Sequence, residues 1–183
     1  MQVHRLVFFM VLAVLITGIW SCGSDDDPED PAEPGKAIAF TADTLDPPDN
    51  AVYLAGVSVS GSELIMNING KKIENTYGAA FALMFDPAVF EYVNATEGNF
   101  YSSSGASTTF LAAGGTNSVT IGISLLGSEV QPVSGSGTLC SIAFRAVENG
   151  RSRFDFRDNR LYDGNGEIIP DVQWFGGLGI VTD

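Results

Sequence analysis

The sequence predicts an all-β domain, two sheets packed face to face, carried behind a short non-globular arm. Three observations carry that expectation. From residue 51 onward, short runs rich in β-branched and aromatic residues alternate with clusters of Gly, Asn, Asp and Ser, the pattern of strands divided by turns. No segment after residue 36 keeps apolar residues at i, i+3, i+4 and i+7 for three turns, so no amphipathic helix is expected. The 21 glycines fall mostly at the turns, where sheet corners need them.

The chain opens on a targeting segment. Met1 to Arg5 supply a short positive start, and Leu6 to Trp20 form an uncharged apolar run. About 15 residues fall short of the roughly 20 that a helix needs to span a bilayer. Residues 1–21 therefore fit a cleaved secretory signal, the alternative being an uncleaved membrane helix. Ile19-Trp20-Ser21-Cys22 resembles the lipobox of bacterial lipoproteins, which implies cleavage before Cys22 and a diacylglycerol on its thiol. Acyl chains contribute about 0.8 kcal/mol per buried methylene, and several of them hold a domain on a membrane.

Residues 22–36 then read as the lipidated cysteine and a solvated tether. The stretch after Cys22 is polar apart from Ala32, with prolines at 28, 31 and 34, and no core can be built from it. In extended polyproline II form it reaches about 40 Å. Its six acids repel anionic headgroups and push the following domain away from lipid. Ser24-Asp25-Asp26-Asp27 resembles the acidic export signal of surface lipoproteins; a plain spacer is the alternative. The expected location is the cell envelope, lipid-anchored at the outer membrane and exposed on the surface.

Residues 37–183 form the domain proper. The strands expected in order are Val52–Val59, Glu63–Ile68, Ala79–Phe85, Phe90–Ala95, Thr108–Ala113, Val119–Leu126, Leu139–Val147, Arg153–Tyr162 and Leu178–Val181. The first two meet at the Ser60-Gly61-Ser62 turn. One helical turn is expected at Asp86-Pro87-Ala88-Val89, where the Asp86 carboxylate caps and Pro87 presets φ. "AAFALMF" and "LCSIAFRAV" are apolar on nearly both faces, which suits a sandwich of the jelly-roll kind with covered outer edges. No internal repeat interrupts the span.

Three features in order resemble the cohesin-like domain family. The first is "YGAAFALMFDPAVFEYVNATEG", residues 77–98, a glycine-initiated strand ending in an aromatic-Asp-Pro turn. The second is Gly137-Thr138-Leu139-Cys140-Ser141-Ile142-Ala143-Phe144, of the form G-x-L-x-x-I-x-F. The third is the closing segment "RLYDGNGEIIPDVQWFGGLGIV", residues 160–181. The resemblance implies a jelly-roll β-sandwich of about nine strands. It also implies protein recognition through one sheet face, with a partner of dockerin type or another surface protein. It fixes no contact residues.

Charge and composition narrow the chemistry. The domain carries sixteen acids against seven Lys or Arg, a formal charge of −9. Its only basic grouping is Arg151, Arg153, Arg157 and Arg160, interleaved with Asp155 and Asp158. Nucleic acid needs a positive face and is not expected as a partner. The one histidine, His4, leaves with the signal, which removes Ser-His-Asp and Cys-His catalysis and the usual zinc sites. The carboxylates expected in strands, Glu63, Glu91 and Asp155, are scattered, so no enzyme is expected. Cys140 has no partner once Cys22 is lipidated, and an apolar strand makes it a small hydrophobe.

Two candidate ligand sites remain. Asp163-Gly164-Asn165-Gly166-Glu167 places oxygens at alternate positions and, with Asp158, could touch calcium; Asp-Gly and Asn-Gly are also strong hairpin formers, and turn is the preferred reading. The candidate residues for that ion are Asp158, Asp163 and Asn165, and no other cofactor is expected. Exposed rings stack on sugars, which makes Tyr101 and Trp174 candidates for binding polysaccharide, although large rings more often pack. Protein recognition is the first expectation for function, carbohydrate binding the second, and a structural subunit of an envelope complex the third.

Overall fold

The computed structural model describes residues 36–127 and 129–183. The signal expected over residues 1–21 and, apart from Lys36, the lipidated cysteine and acidic arm expected over residues 22–36 lie outside the described residues. Eleven strands follow in chain order: β1 Ala37–Ala42, β2 Ala51–Ser60, β3 Glu63–Thr76, β4 Gly78–Met84, β5 Phe90–Glu97, β6 Thr108–Gly114, β7 Ser118–Leu125, β8 Val133–Ala146, β9 Gly150–Tyr162, β10 Gln173–Phe175 and β11 Gly177–Thr182. One 3-10 turn covers Ser102–Ser104. No described helix is long and apolar enough to cross a membrane.

The strands make a six-stranded sheet, β1-β11-β9-β4-β7-β6, and a five-stranded sheet, β10-β2-β3-β8-β5. The all-β sandwich expected from the sequence is therefore the fold, with eleven strands in place of about nine. The two additions have simple causes. β1 alternates half-buried Ile38 and Phe40 with exposed alanines and lies against β11, a half-apolar edge directly behind a polar arm. β10 is three residues long, below the length at which a strand declares itself, and pairs in parallel with β2.

β3 and β8 also extend beyond their expected ends. "NGKK" and "VSGSG" look like loops, yet they pair across register shifts at Gly70/Ile73 and Ile73/Thr76. Lys72 and Asn75 sit there at φ 46° and 53°, which turns their amides off the ladder. Serine hydroxyls take over: Ser136 Oγ accepts from the Lys72 amide at 2.8 Å, and Ser134 Oγ from the Asn75 amide at 2.9 Å. A bulge with satisfied donors lets a polar segment remain strand.

The expected turns form. Ser60 and Glu63 pair across a two-residue connection with Gly61 at φ 59°, the positive φ that a tight hairpin needs at its first position. Asp86 Oδ1 accepts from the Ala88 amide at 2.9 Å, and the Asp86 carbonyl accepts from Val89 and Phe90. That cap drops Val89 and Phe90 into the core.

Between the sheets, Phe90, Phe144 and Phe154 are fully buried. Phe144 meets Phe154 and Phe85 at ring-centroid distances of 5.1 Å, in tilted and edge arrangements. Each such ring adds roughly 1.5–3 kcal/mol by burial. Gly179 of β11 makes room for them, because a Cβ there would lie 2.9 Å from both Phe154 and Phe90.

Candidate functional site

Strand alternation decides which side chains leave the core. Along β4, Ala79, Phe81 and Leu83 are buried, so Ala80, Ala82 and Met84 face outward. Along β7, Val119, Ile121, Ile123 and Leu125 are buried, which sends Thr120, Gly122 and Ser124 to the same outer face. The register aligns these positions in rows across four strands. Leu111 of β6, Gly122 of β7, Ala80 of β4 and Arg160 of β9 form one row. Ala113, Thr120, Ala82 and Arg157 form the next, and Thr109, Ser124, Gly78 and Tyr162 the one on the other side.

Within these rows the middle strands contribute only Gly, Ala, Ser and Thr, while Leu111, 63% exposed, stands on one flank. Tyr162, Arg160 and Arg157 stand on the other. The result is a trough. Three interstrand steps of about 4.8 Å make it roughly 14 Å from Leu111 to Arg160. At one end it runs into a pocket of about 820 Å³ walled by Tyr77, Tyr162 and the Asp163–Gly166 turn.

Two floor glycines differ in cause. Gly78 is required by packing, since a Cβ there would lie 2.8 Å from the Ile123 carbonyl oxygen. Gly122 is not, since its Cβ would meet only Leu111 Cβ at 3.9 Å, an ordinary contact. Glycine inside a strand is destabilising by about 0.5–1 kcal/mol relative to alanine. Position 122 carries that cost with no packing or positive-φ reason for it, and what it gains is an open floor.

The arginines of β9 divide in two. Arg153 is held by Asp43 at 2.8 and 2.9 Å and by Asp155 at 2.9 Å, and those carboxylates raise its already high pKa further. Arg157 and Arg160, beside the floor, are exposed and have no acidic partner among the described residues. The neighbouring turn is pinned by Asp163, whose Oδ1 accepts from the amides of Asn165 and Glu167, both at 2.9 Å. The Glu167 amide, ahead of Asn165, holds the Asp163 carboxyl below its usual range against a smaller opposing effect of burial.

Each residue singled out in the sequence has a definite place. Tyr101 is corrected as a sugar platform: it is 1% exposed, its hydroxyl lies 2.9 Å from Thr76 Oγ1, and burial pushes its phenol up. Trp174 is half-buried on β10, its ring packed on Phe81 and Phe156 at 5.6 and 5.1 Å, closing the side of the sandwich. The two rings therefore do not form an exposed platform. Asp163 and Asn165 make the hairpin turn, with Asp163's carboxylate occupied by backbone amides. Asp158 lies apart in the β9 bulge at φ 49°. Among the described residues no group of three or more His, Cys, Asp or Glu is gathered for a metal. Cys140 is fully buried, and burial raises its thiol pKa.

The trough itself went unseen in the sequence, although "AAFALM" displays it. Ala80 and Ala82 alternate with Phe81 and Leu83, so small residues at every second position mark a face kept low rather than one covered by another layer.

A type II cohesin module from the adaptor ScaA scaffoldin of Acetivibrio cellulolyticus superimposes with a TM-score of 0.57 at 18% identity, over 76% of this chain and 86% of that one. A type II cohesin–X-dockerin complex from the same organism gives a TM-score of 0.56 at 15% identity, over 68% and 91%. A non-cellulosomal cohesin from the archaeon Archaeoglobus fulgidus gives 0.50 at 17%, over 63% and 78%. At these identities the likeness shows the fold. No curated protein matches the chain. The family model described as Cohesin domain matches residues 55–167, more than half of the sequence, and the chain belongs to the cohesin domain family.

Proposed function

We propose that this protein is a recognition module whose docking surface is the trough on the outer face of β9-β4-β7-β6, and that its partner lays an α-helix into it. The observation that carries the reading is the cross-strand row Leu111–Gly122–Ala80–Arg160. It sets Leu111 and Arg160 about 14 Å apart over the small residues Gly122 and Ala80, and a helix with its side chains is about 10–12 Å wide. Close backbone approach over such a floor gives contact area without reacting groups. The lining of Ala, Gly, Ser, Thr, Leu, Tyr and Arg suits binding, and its one carboxylate, Asp163, is taken up by backbone amides, so it offers no carboxylate pair for hydrolysis. The similar Acetivibrio cellulolyticus structure is a cohesin–X-dockerin complex, which supports a dockerin-like module as the partner here.

Cys22 and the acidic arm then act as anchor and spacer. In this reading acyl chains on Cys22 hold the chain in the envelope membrane, at the cell surface, and the arm carries the trough clear of lipid. The motif at residues 19–22 and the composition of residues 23–36 support it.

Calorimetric titration of the full chain in mild detergent with a panel of dockerin modules tests the docking. Binding that vanishes with Leu111→Glu, while the melting temperature stays unchanged, is the expected result. Binding that survives Leu111→Glu places the contact elsewhere and ends the proposal.

A further inference from the structure

We infer that Arg157 and Arg160 read an acidic row on the partner, so the cognate helix carries Asp or Glu along the edge facing β9 and small or apolar residues over the floor. The inference rests on the docking reading above and adds the partner's chemistry. Three observations carry it. Both arginines stand at the ends of trough rows, paired across the ladder with Ala82 and Ala80. Arg153, on the same strand, shows what a structural arginine looks like here, clamped by Asp43 and Asp155. Arg157 and Arg160 have no such clamp among the described residues, and Asp158 in the bulge beside them forms no ion pair with either.

The setting sharpens the contrast. The domain carries a formal charge of −9, so an acidic partner is repelled by most of its surface and attracted at this ridge. A helix seated in the trough would take both arginines partly out of water. That is unfavourable unless carboxylates meet them, and bidentate Arg–carboxylate pairing supplies the geometry. Same-face neighbours on a strand lie about 7 Å apart. One helical turn rises about 5.4 Å, so acids at i and i+4 on the partner reach both guanidinium groups.

A displayed library of helical hairpins, selected on the full chain in mild detergent, tests this directly. Binders lost with Gly122→Val define the trough set. Within it, an Asp or Glu row at i, i+4 is expected. Affinity should fall about tenfold or more for R157E/R160E and stay unchanged for K72E/R145E, which makes the same change in net charge on the other sheet. Trough binders without acids, indifferent to R157E/R160E, overturn the acidic-row inference and leave the docking face standing. A library with no binder sensitive to Gly122→Val overturns the docking reading as well. Retention on a polyuronate column that R157E/R160E abolishes, with no acidic helix recovered, overturns the helix in favour of an anionic glycan.

Discussion

Gly122→Val separates a site from a scaffold, because the two roles give opposite signs. The backbone at 122 is not in the positive-φ region, and a Cβ meets only Leu111 Cβ at 3.9 Å. A β-branched side chain therefore fits the strand, and replacing an interior glycine is stabilising by about 0.5–1 kcal/mol. For a domain of this size that raises the melting temperature by roughly 1–4 °C. Binding moves the other way. The valine stands in the middle of the row that a helix must approach, and overpacking a close contact costs about 1–3 kcal/mol. That corresponds to roughly a 5- to 150-fold loss in Kd. Differential scanning calorimetry and titration with a dockerin module that binds the parent chain measure both. A variant that melts lower and binds as before would refute the reasoning, since Gly122 would then be a packing residue and the trough an accident of it.

Other expectations follow from named contacts. Asp163 has a carboxyl pKa held below its usual 3.8 by backbone donors, so its turn is favoured above pH 3.8 and loses that support as pH falls through the lower folded value. Titration by NMR should place Asp163 below 3.8, with the Asn165 and Glu167 amides losing protection as it protonates; an ordinary pKa rejects the turn geometry. Cys140 should resist thiol reagents in the folded chain at pH 8 and react on unfolding, because burial keeps it protonated; fast native labelling contradicts its place. Tyr101→Phe removes one buried hydrogen bond to Thr76 and should destabilise by about 1 kcal/mol in a urea melt, without changing dockerin affinity. An affinity loss there restores Tyr101 as a contact residue. Cys22→Ala should release the protein from the membrane fraction, and continued sedimentation with membranes would exclude the acyl anchor.

How much of this the sequence displays depends on whether a feature is local. Strand runs such as Phe90–Ala95 and the Asp86 cap are visible because their causes lie within a few residues. The extension of β3 to Thr76 is not, because the amides of Lys72 and Asn75 are satisfied by Ser136 and Ser134, 64 and 59 residues away. Rings mislead for a related reason. Tyr101 and Trp174 carry polar tips and sit near turns, which resembles exposure, yet Thr76 and the Phe81–Phe156 pair accept them inside. The trough is the least visible feature. It is built from four strands whose register no single segment contains, and its clue is the size of outward residues rather than their polarity.

The choice of face follows from what each sheet leaves unfinished. On the outer side of the five-stranded sheet, Ser141 Oγ and Asn67 Oδ1 lie 2.6 Å apart, and the Arg145 and Glu91 side chains meet at 3.5 Å. Lys71 joins Asp46 at 2.9 Å on that side. Asn69, alternating with inward Ile68, is the exception, with its Oδ1 buried and unpartnered. A partner laid there must displace contacts the chain already makes to itself, and each exchange returns little free energy. The outer face of β9-β4-β7-β6 shifts the balance: beside the Arg153 clamp it presents a low floor of small residues, an exposed Leu111, and two arginines with no carboxylate partner among the described residues. Contacts made there are additions rather than exchanges, and this asymmetry directs docking to the six-stranded sheet before any partner is specified.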